Sequence, residues 1–331
     1  MKRLFVILIS IFLTINISSC KSPTSPDENN PVTLTIYVDI NNKTGIEDGT
    51  ITYPYTSIVK AVTKGTQNTL IIVKQGHYRE PELYLKEGMK LQGAGSETTT
   101  IERSKYGLIT LSSGCEISGF TIMSQWSGTV LDPAIKGGGV KNIRISNNRF
   151  KYPDHRAIFL EGSSGSISNN QISGSNKVGG GISINVSDEI VIENNLIFSS
   201  GYALSIIGSS PIIRNNTIRD CRLGIDISMA VGNVISSPLI SNNTIENNDD
   251  YGIRIAMFPC NADLGGGGRG SPGENIIRNN RKYDLLNQSP SSIYAKNNWW
   301  THSTEFEIDK SDISDDDEGT GGQVIFLPFK K

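Results

Sequence analysis

A short motif of the form Ile-x-Asn-Asn-x-Ile constrains the fold of this chain more than any other feature. Five copies lie between Ile143 and Ala256, with Phe at the last position of the first copy, and their first asparagines are Asn147, Asn169, Asn194, Asn215 and Asn242. Successive copies are therefore 22, 25, 21 and 27 residues apart. Nine to twelve residues after each first asparagine, a small residue opens a short apolar segment such as Gly181-Ile-Ser-Ile184. A recurrence at 20 to 50 residues identifies a repeat array.

The repeat unit predicts strands and no helices. Apolar and polar residues alternate over four to six positions, which is the signal of a β-strand. Two or three short strands per unit of about 24 residues leave no room for crossover helices, so each unit is predicted to be one solenoid turn, stacked at about 4.8 Å. The inward core is predicted to include Ile192, Ile213, Ile240, Leu204 and Ile225. Asn tolerates the backbone of a sharp bend, and stacked Asn amides form ladders.

These motifs closely resemble those of right-handed parallel β-helix proteins, the pectate-lyase-like superfamily. The resemblance implies an all-β fold, a single-stranded right-handed parallel β-helix solenoid with a short N-terminal cap. Roughly ten coils are expected over about residues 70–300. A shared fold does not determine an activity.

Charge and cysteine count limit the partners and cross-links that can be expected. The chain has 331 residues and a net charge of −2, so nothing in its charge predicts a nucleic-acid partner. Four cysteines are too few for a disulfide framework at this length. With Cys20 assigned to a separate role, Cys115, Cys221 and Cys260 leave an odd number, and none has metal-ligand spacing.

The N-terminus predicts export and a lipid anchor. Lys2 and Arg3 precede an apolar run that is too short to span a membrane comfortably. Residues 1–19 are predicted to be a signal peptide, because Ile17-Ser-Ser-Cys20 resembles the lipobox of bacterial lipoproteins. That resemblance implies cleavage before Cys20, lipid on its sulfur, and a cell-envelope location at the outer membrane or cell surface. Residues 20–32 are polar and predict a flexible tether.

The remaining chain, 33–331, is predicted to form the β-helix. Residues 33–68 are expected to be an N-terminal cap region with a short amphipathic helix, 69–300 the coils, and 301–331 a C-terminal cap. A glycine-rich segment at 263–273 interrupts the period. Asn279-Asn280 and Asn297-Asn298 are predicted to resume the same Asn motif, 18 residues apart.

The resemblance also implies where chemistry would lie. In pectate-lyase-like enzymes the active residues occupy one strand face and the turns leading into it, which map here onto the Gly-Ile-x-Ile strands. The turn candidates are Asp154, His155, Lys177, Asp220, Arg222, Asp249, Asp250 and Tyr251. The strand candidates are Asp226 and Arg254, beside Phe159, Ser183 and Ser205. Alternation points Asp226 and Arg254 outward on adjacent coils, so they are expected to be neighbours.

These residue types suit glycan chemistry, but no catalytic signature is intact. Hydrolysis requires two carboxylates at a set separation, and elimination from a uronate requires a base and a cation. Asp249-Asp250 occupies roughly the place of the paired Asp in polygalacturonase-like hydrolases, without that motif's flanking Gly and Cys. Tyr152-Pro-Asp-His155 resembles the Asp-Pro-His signature of alginate epimerases in altered order. The alternative is that these are ordinary solvated turn residues.

No cofactor is predicted. Two oxygen-rich clusters, Asp39–Asp48 and Asp315–Glu318, could hold Ca²⁺, but neither follows the spacing of a recognised calcium loop. Solvated turn residues are the favoured interpretation of both.

Three functions remain open at this level. The favoured one is a surface lipoprotein that binds polysaccharide or acts as a non-catalytic rod or adhesin. The second is a polysaccharide lyase, hydrolase or epimerase that acts on the outward strand face. The third is a periplasmic accessory protein for carbohydrate or metal maturation. Ser183 and Ser205 in the middle of the face are poor catalytic groups, which favours the first.

Overall fold

The computed structural model describes residues 32–104, 108–124, 132–153, 155–174, 179–230, 232–319 and 321–331. These residues form a right-handed parallel β-helix, and all ladders between its named strands are parallel. Nine complete turns each contribute one strand to three sheets, here called sheets 1, 2 and 3. The predicted fold is confirmed. No helix among the described residues is long and apolar enough to cross a membrane.

The strands and helices have the following bounds. Sheet 1 contains β1 (Leu34–Val38), β2 (Thr69–Val73), β5 (Lys90–Gly93), β8 (Glu116–Ser118), β11 (Ile143–Ser146), β14 (Ser164–Ser168), β17 (Glu189–Glu193), β20 (Ile212–Arg214), β23 (Leu239–Ser241), β26 (Asp263–Gly265), β29 (Ile293–Ala295) and β31 (Val324–Ile325). Sheet 2 contains β3 (Gly76–Glu80), β6 (Thr99–Arg103), β9 (Thr121–Met123), β12 (Arg149–Lys151), β15 (Gln171–Ser173), β18 (Leu196–Phe198), β21 (Thr217–Arg219), β24 (Thr244–Glu246) and β27 (Ile276–Arg278). Sheet 3 contains β4 (Leu83–Tyr84), β7 (Ile109–Thr110), β10 (Ile135–Gly138), β13 (Arg156–Glu161), β16 (Gly180–Asn185), β19 (Tyr202–Ile207), β22 (Leu223–Ser228), β25 (Tyr251–Ile255), β28 (Tyr283–Asn287) and β30 (Ile313–Ser314). The helical segments are α1 (Ile58–Lys64), α2 (Glu305–Glu307) and a π-helical turn, Ile308–Asp312.

The bend between sheets 1 and 2 uses the two asparagines of each motif differently. The first asparagine has a left-handed backbone, with φ of 55° or 56° at Asn147, Asn169, Asn194, Asn215 and Asn242. Asn adopts this conformation more readily than most residues that carry a Cβ atom. Each follows a strand that pairs in register with its neighbours, so the five residues line up along one edge as predicted.

The second asparagine is buried and forms a hydrogen-bonded ladder along the helix axis. Oδ1 of Asn195 accepts hydrogen bonds from the backbone N–H of Asn170 (2.9 Å) and from its Nδ2 (3.1 Å). Nδ2 of Asn195 donates to the carbonyl of Ile167 (2.9 Å) and to Oδ1 of Asn216 (3.0 Å). The ladder runs through Asn148, Asn170, Asn195, Asn216, Asn243, Asn275 and Asn298. It satisfies backbone groups that the bend buries.

The ladder corrects the predicted alignment beyond the glycine-rich segment. Asn275 follows Asn243 in the ladder, in place of the predicted Asn279-Asn280 pair. Oδ1 of Asn280 instead accepts from the backbone N–H of Asn248 (3.1 Å), at the bend between sheets 2 and 3. The prediction was wrong because both bends use Asn-Asn pairs, and the motif alone does not distinguish them. Asn298 does continue the ladder.

A serine ladder lines the third bend, between sheets 3 and 1. The backbone N–H of Ser163 donates to Oγ of Ser187, that of Ser187 to Oγ of Ser209, and that of Ser209 to Oγ of Ser236, at 2.9, 3.0 and 3.2 Å. Two of the three bends are therefore held by side chains of one residue type that repeats over several coils.

The core fills the bore of the helix with aliphatic side chains. The predicted core residues Ile192, Ile213, Ile240, Leu204 and Ile225 are all fully buried, which confirms the strand register. At the N-terminal end, α1 buries Ile58, Ala61 and Val62 against this core. The buried Glu80 carboxylate accepts the backbone N–H groups of Ile58 (2.6 Å) and Val59 (3.2 Å), at the start of α1.

The sheets extend into both segments that the sequence assigned to caps. β1, within residues 33–68, is already a strand of sheet 1, and β30 and β31 belong to residues 301–331.

The glycine-rich segment folds around the Asp263 side chain. Its two oxygens accept the backbone N–H groups of Gly265, Gly267, Arg269 and Ser271 at 2.9 to 3.1 Å. The glycines let the backbone approach this carboxylate closely.

Candidate functional site

A straight row of side chains runs along sheet 3, one from each coil. The register places Tyr84, Thr110, Lys136, Phe159, Ser183, Ser205, Asp226, Arg254, Leu286 and Ser314 at equivalent positions. This row contains all five strand residues that the sequence predicted for the face. Parallel pairing spaces neighbouring positions by about 4.8 Å.

A groove of about 350 Å³ lies on this row. It is lined by His155, Arg156, Gly180, Gly181, Ile182, Ser183, Tyr202, Ser205 and Asp226. The groove exists because two serines follow Phe159 in the row, and because Gly180 has no side chain where Arg156 stands on the adjacent coil. A Cβ atom at Gly181 would lie 2.0 Å from the Ala203 carbonyl oxygen, so no larger residue fits there.

The predicted pairing of Asp226 with Arg254 is present. Oδ1 of Asp226 lies 2.7 Å from Nε of Arg254, and the two side chains are 13% and 31% exposed. The hydrogen bond that Arg254 donates to Asp226 raises the pKa of Arg254 above its ordinary value. The only carboxylate among the described residues that line the groove is therefore already neutralised by a cation.

A second ion-pair network adjoins Tyr202, a residue of the groove. The carboxylate of Asp250 lies 2.7 Å from Nζ of Lys282 and 3.4 Å from Nε of Arg222. The hydrogen bond from Lys282 is the main cause of a lowered pKa of Asp250, and Arg222 adds to it. Arg222 lies over the ring of Tyr202, and Lys282 lies over that of Tyr251. Lys282 was not predicted, because it follows the glycine-rich segment where the repeat is broken.

Of the remaining predicted site residues, two do not line the groove and two lie outside the described residues. Asp220, predicted for the rim, has a left-handed backbone at the bend after β21, and its carboxylate pairs with Arg219. Asp249 does not line the groove, and its backbone N–H donates to the Cys221 carbonyl (2.8 Å). Asp154 and Lys177 lie outside the described residues, as do Cys20 and Trp126.

Ser183 also differs from its prediction. Alternation placed it on an open outward face, and the register agrees, but the residue is only 1% exposed. Strand alternation alone does not indicate this burial.

A further charged cluster occupies the row near its N-terminal end. Glu82 accepts hydrogen bonds from Thr110 (2.7 Å) and Tyr84 (2.8 Å) and pairs with Lys136 (2.9 Å). Burial alone would raise the pKa of Glu82, but these hydrogen bonds outweigh burial and lower it. The sequence showed no signal for this cluster, because Glu82 precedes the regular repeats.

The two acidic clusters considered for calcium differ. Asp39, Glu47 and Asp48 are engaged in turn hydrogen bonds and in ion pairs with Lys74 and Lys60, as solvated turn residues would be. Asp315, Asp316 and Asp317 place one carboxylate oxygen each within 4.8 Å of one another. An acidic cluster of this kind is common without an ion, so it does not identify a metal site.

Comparison with known proteins places the chain in a family. Residues 41–305 match the model of the family described as "Protein of unknown function (DUF1565)". The chain belongs to that family. No curated protein sequence matches this DUF1565 member.

Solved structures share the fold of this DUF1565 protein. The A-module of the mannuronan C-5 epimerase AlgE6 from Azotobacter vinelandii aligns with a TM-score of 0.55 and 14% identity, over 82% of this chain and 88% of that one. The pectin methylesterase PemA from Erwinia chrysanthemi aligns with 0.51 and 13%, over 85% and 93%. The pectate lyase Pel9A aligns with 0.50 and 8%, over 91% and 79%. At these identities the likeness shows the right-handed β-helix alone.

Proposed function

We propose that the sheet 3 groove binds a polysaccharide and that the protein holds this glycan at the bacterial cell envelope without cleaving it. The observation that carries the proposal is the groove itself, a depression of about 350 Å³ on a straight row of side chains. Such a row repeats at about 4.8 Å, close to the length of one sugar unit, and so suits an extended polymer. The solved structures with this fold include proteins named for pectin and mannuronan, which supports a glycan ligand.

The chemistry of the groove favours binding over cleavage. Glycoside hydrolysis by the usual route requires two carboxyl groups on either side of the scissile bond. The described lining residues contain one, Asp226, and Arg254 pairs with it. Tyr202 supplies an aromatic ring and a hydroxyl, and the half-buried Ser205 supplies a small polar group. These are groups that orient a sugar.

The envelope location rests on the sequence of the N-terminus. The Ile17-Ser-Ser-Cys20 segment supports a lipid on Cys20, and the polar residues up to Val32 would separate that lipid from the β-helix. A lipid anchor and a long glycan-binding face together suit a protein that retains polysaccharide at a membrane.

A catalytic role has one observation in its favour. His155, Tyr202 and Asp226 all line the same groove, and all three residue types can transfer protons. One experiment separates the two functions: immobilised neutral and acidic polysaccharides are tested for binding and, in solution, for new reducing or unsaturated ends.

Ser205→Leu is the decisive variant, because it fills the groove without changing charge. Ser173→Leu on β15 is the matched control, since Ser173 is a half-buried outward serine of sheet 2. We expect the wild type and Ser173→Leu to bind without releasing products, and Ser205→Leu to lose binding. Binding that survives in Ser205→Leu would move the site elsewhere, and product formation would establish an enzyme.

A further inference from the structure

We propose that Arg156 recognises an anionic substituent, a carboxylate or a sulfate, on the glycan held in the groove. This inference rests on the proposed polysaccharide-binding function and adds the chemical class of the ligand. It concerns one end of the groove, where β13 begins.

Arg156 differs from most arginines of the described chain in its partners, and it lines the groove. Seven arginines there pair with a carboxylate: Arg144, Arg149, Arg214, Arg219, Arg222, Arg254 and Arg278. Arg156 has no ion pair with any described carboxylate. Its Nη1 lies 3.2 Å from Nδ1 and 3.1 Å from Nε2 of His155, and its guanidinium lies over the Phe159 ring, 5.6 Å from the centroid.

This environment is costly for a cation without a counter-charge. Arg156 is half-buried, and burial lowers the pKa of its guanidinium. A partly desolvated guanidinium forms strong paired hydrogen bonds with planar or tetrahedral oxyanions, because its N–H groups form a rigid fork. The Phe159 ring also holds the guanidinium in place, so little side-chain freedom is lost when an anion binds.

The position of Arg156 fits recognition of one sugar at one end of a bound chain. Phe159 and Asp226 are three coils apart in the row, which corresponds to roughly 14 Å. At the far end the Asp226–Arg254 pair is already neutral. The two ends of the groove therefore differ in charge, and an anionic group is favoured at the Arg156 end.

The test measures binding of the full-length protein to three soluble polymers: polygalacturonate, dextran sulfate and neutral dextran. Arg156→Gln removes the charge and keeps most of the side-chain length. Arg156→Lys keeps the charge but loses the fork. Arg214→Gln on sheet 1 is the control, because it removes one arginine charge from a different face. Thermal unfolding of each variant verifies that it is folded.

We expect the wild type and Arg214→Gln to prefer an anionic polymer, and Arg156→Gln to bind it about tenfold or more weakly, with Arg156→Lys in between. A larger effect on polygalacturonate identifies a carboxylate as the ligand group, and a larger effect on dextran sulfate identifies a sulfate. Equal loss of binding in Arg156→Gln and Arg214→Gln would show that only the overall charge of the protein matters. This result would overturn the inference.

The test separates this inference from the proposed function. If neutral dextran binds as well as the anionic polymers, and Ser205→Leu abolishes that binding, the groove binds glycans and Arg156 has no anion role. If Ser205→Leu leaves binding to every polymer unchanged, the proposed function fails. Asp154, two residues before Arg156, provides a second probe. If its carboxylate already neutralises Arg156, Asp154→Asn strengthens anion binding and Arg156→Gln leaves it unchanged, which contradicts the inference.

Discussion

The Asp226 carboxylate neutralises the Arg254 guanidinium across two adjacent coils, with 2.7 Å between Oδ1 and Nε. Ser205 precedes Asp226 in the same row, so the pair borders the groove at one end. Arg254 therefore compensates the charge of Asp226, the only carboxylate among the described residues that line the groove. The pair instead determines the local charge that a ligand meets at this end of the groove.

Breaking this pair should change ligand preference more than stability. Asp226→Asn keeps the shape of the side chain and leaves Arg254 without its counter-charge, so we expect tighter binding of acidic polysaccharides and a stability loss of about 1 kcal/mol. Glu193→Gln is the matched control, because it frees Arg214 on sheet 1 in the same way. Binding isotherms and urea unfolding of both variants measure the two effects. Equal changes in binding for the two variants would contradict a ligand site on sheet 3.

Substitution of the two asparagines of one motif should have very different effects on stability. Asn195→Ala removes the acceptor for the backbone N–H of Asn170 and the donor to the carbonyl of Ile167, both buried. Leaving two such groups unsatisfied should cost about 2–5 kcal/mol. Asn194→Gly should be close to neutral, because glycine adopts the φ of 56° found there without strain. Urea unfolding tests both variants. A large loss of stability in Asn194→Gly would show that the bend depends on the Asn194 side chain.

The regular coils of the molecule were predictable because each coil repeats the same pattern of strands and bends. Alternation assigns Ile192, Ile213 and Leu204 to the core, and the nearly constant period aligns Asp226 with Arg254 on adjacent coils. These predictions depend on neighbours in sequence and on the coil directly above, both of which the repeat shows.

The features that escaped prediction arise where the repeat changes or where side chains from several coils meet. Lys282 reaches Asp250 across a segment of altered length, and Asn280 joins a different bend from the expected one. Ser183 is buried, although alternation turns it outward. Arg156 was not among the predicted site residues, because the lack of a partner among the described carboxylates is a property of packing and leaves no signal in sequence.

The proposed lipid anchor predicts the partitioning of the full-length protein. Expressed with its own signal segment in a bacterial host, the wild type should enter the detergent phase of a detergent–water separation. Cys20→Ala should move to the aqueous phase, because it removes the sulfur that would carry the lipid. Cys115→Ala is the control, since Cys115 is a free, buried thiol of the β-helix. If Cys20→Ala partitions like the wild type, the lipid anchor is absent.

The C-terminal end predicts an unusual pH dependence of stability, centred on Asp284. Burial is the main cause that raises the pKa of Asp284 from 3.8 to about 6, and the nearby Asp312 charge adds to it. Hydrogen bonds from Asn280 and Thr301 to the carboxylate oppose this rise without cancelling it. Because the folded pKa is above the unfolded value, Asp284 contributes stability below about pH 4 that is lost as the pH rises through about 6.

The wild type should therefore lose stability relative to Asp284→Asn between about pH 4 and pH 6, by up to about 3 kcal/mol, and the difference should be constant above that range. Asp250→Asn should show the opposite sign, because Lys282 lowers the pKa of Asp250, and its contribution is lost as the pH falls. Urea unfolding from about pH 3.5 to 7.5 on the three proteins measures both slopes. Parallel pH profiles for the wild type and Asp284→Asn would show that Asp284 stays ionised, with its four hydrogen bonds outweighing burial.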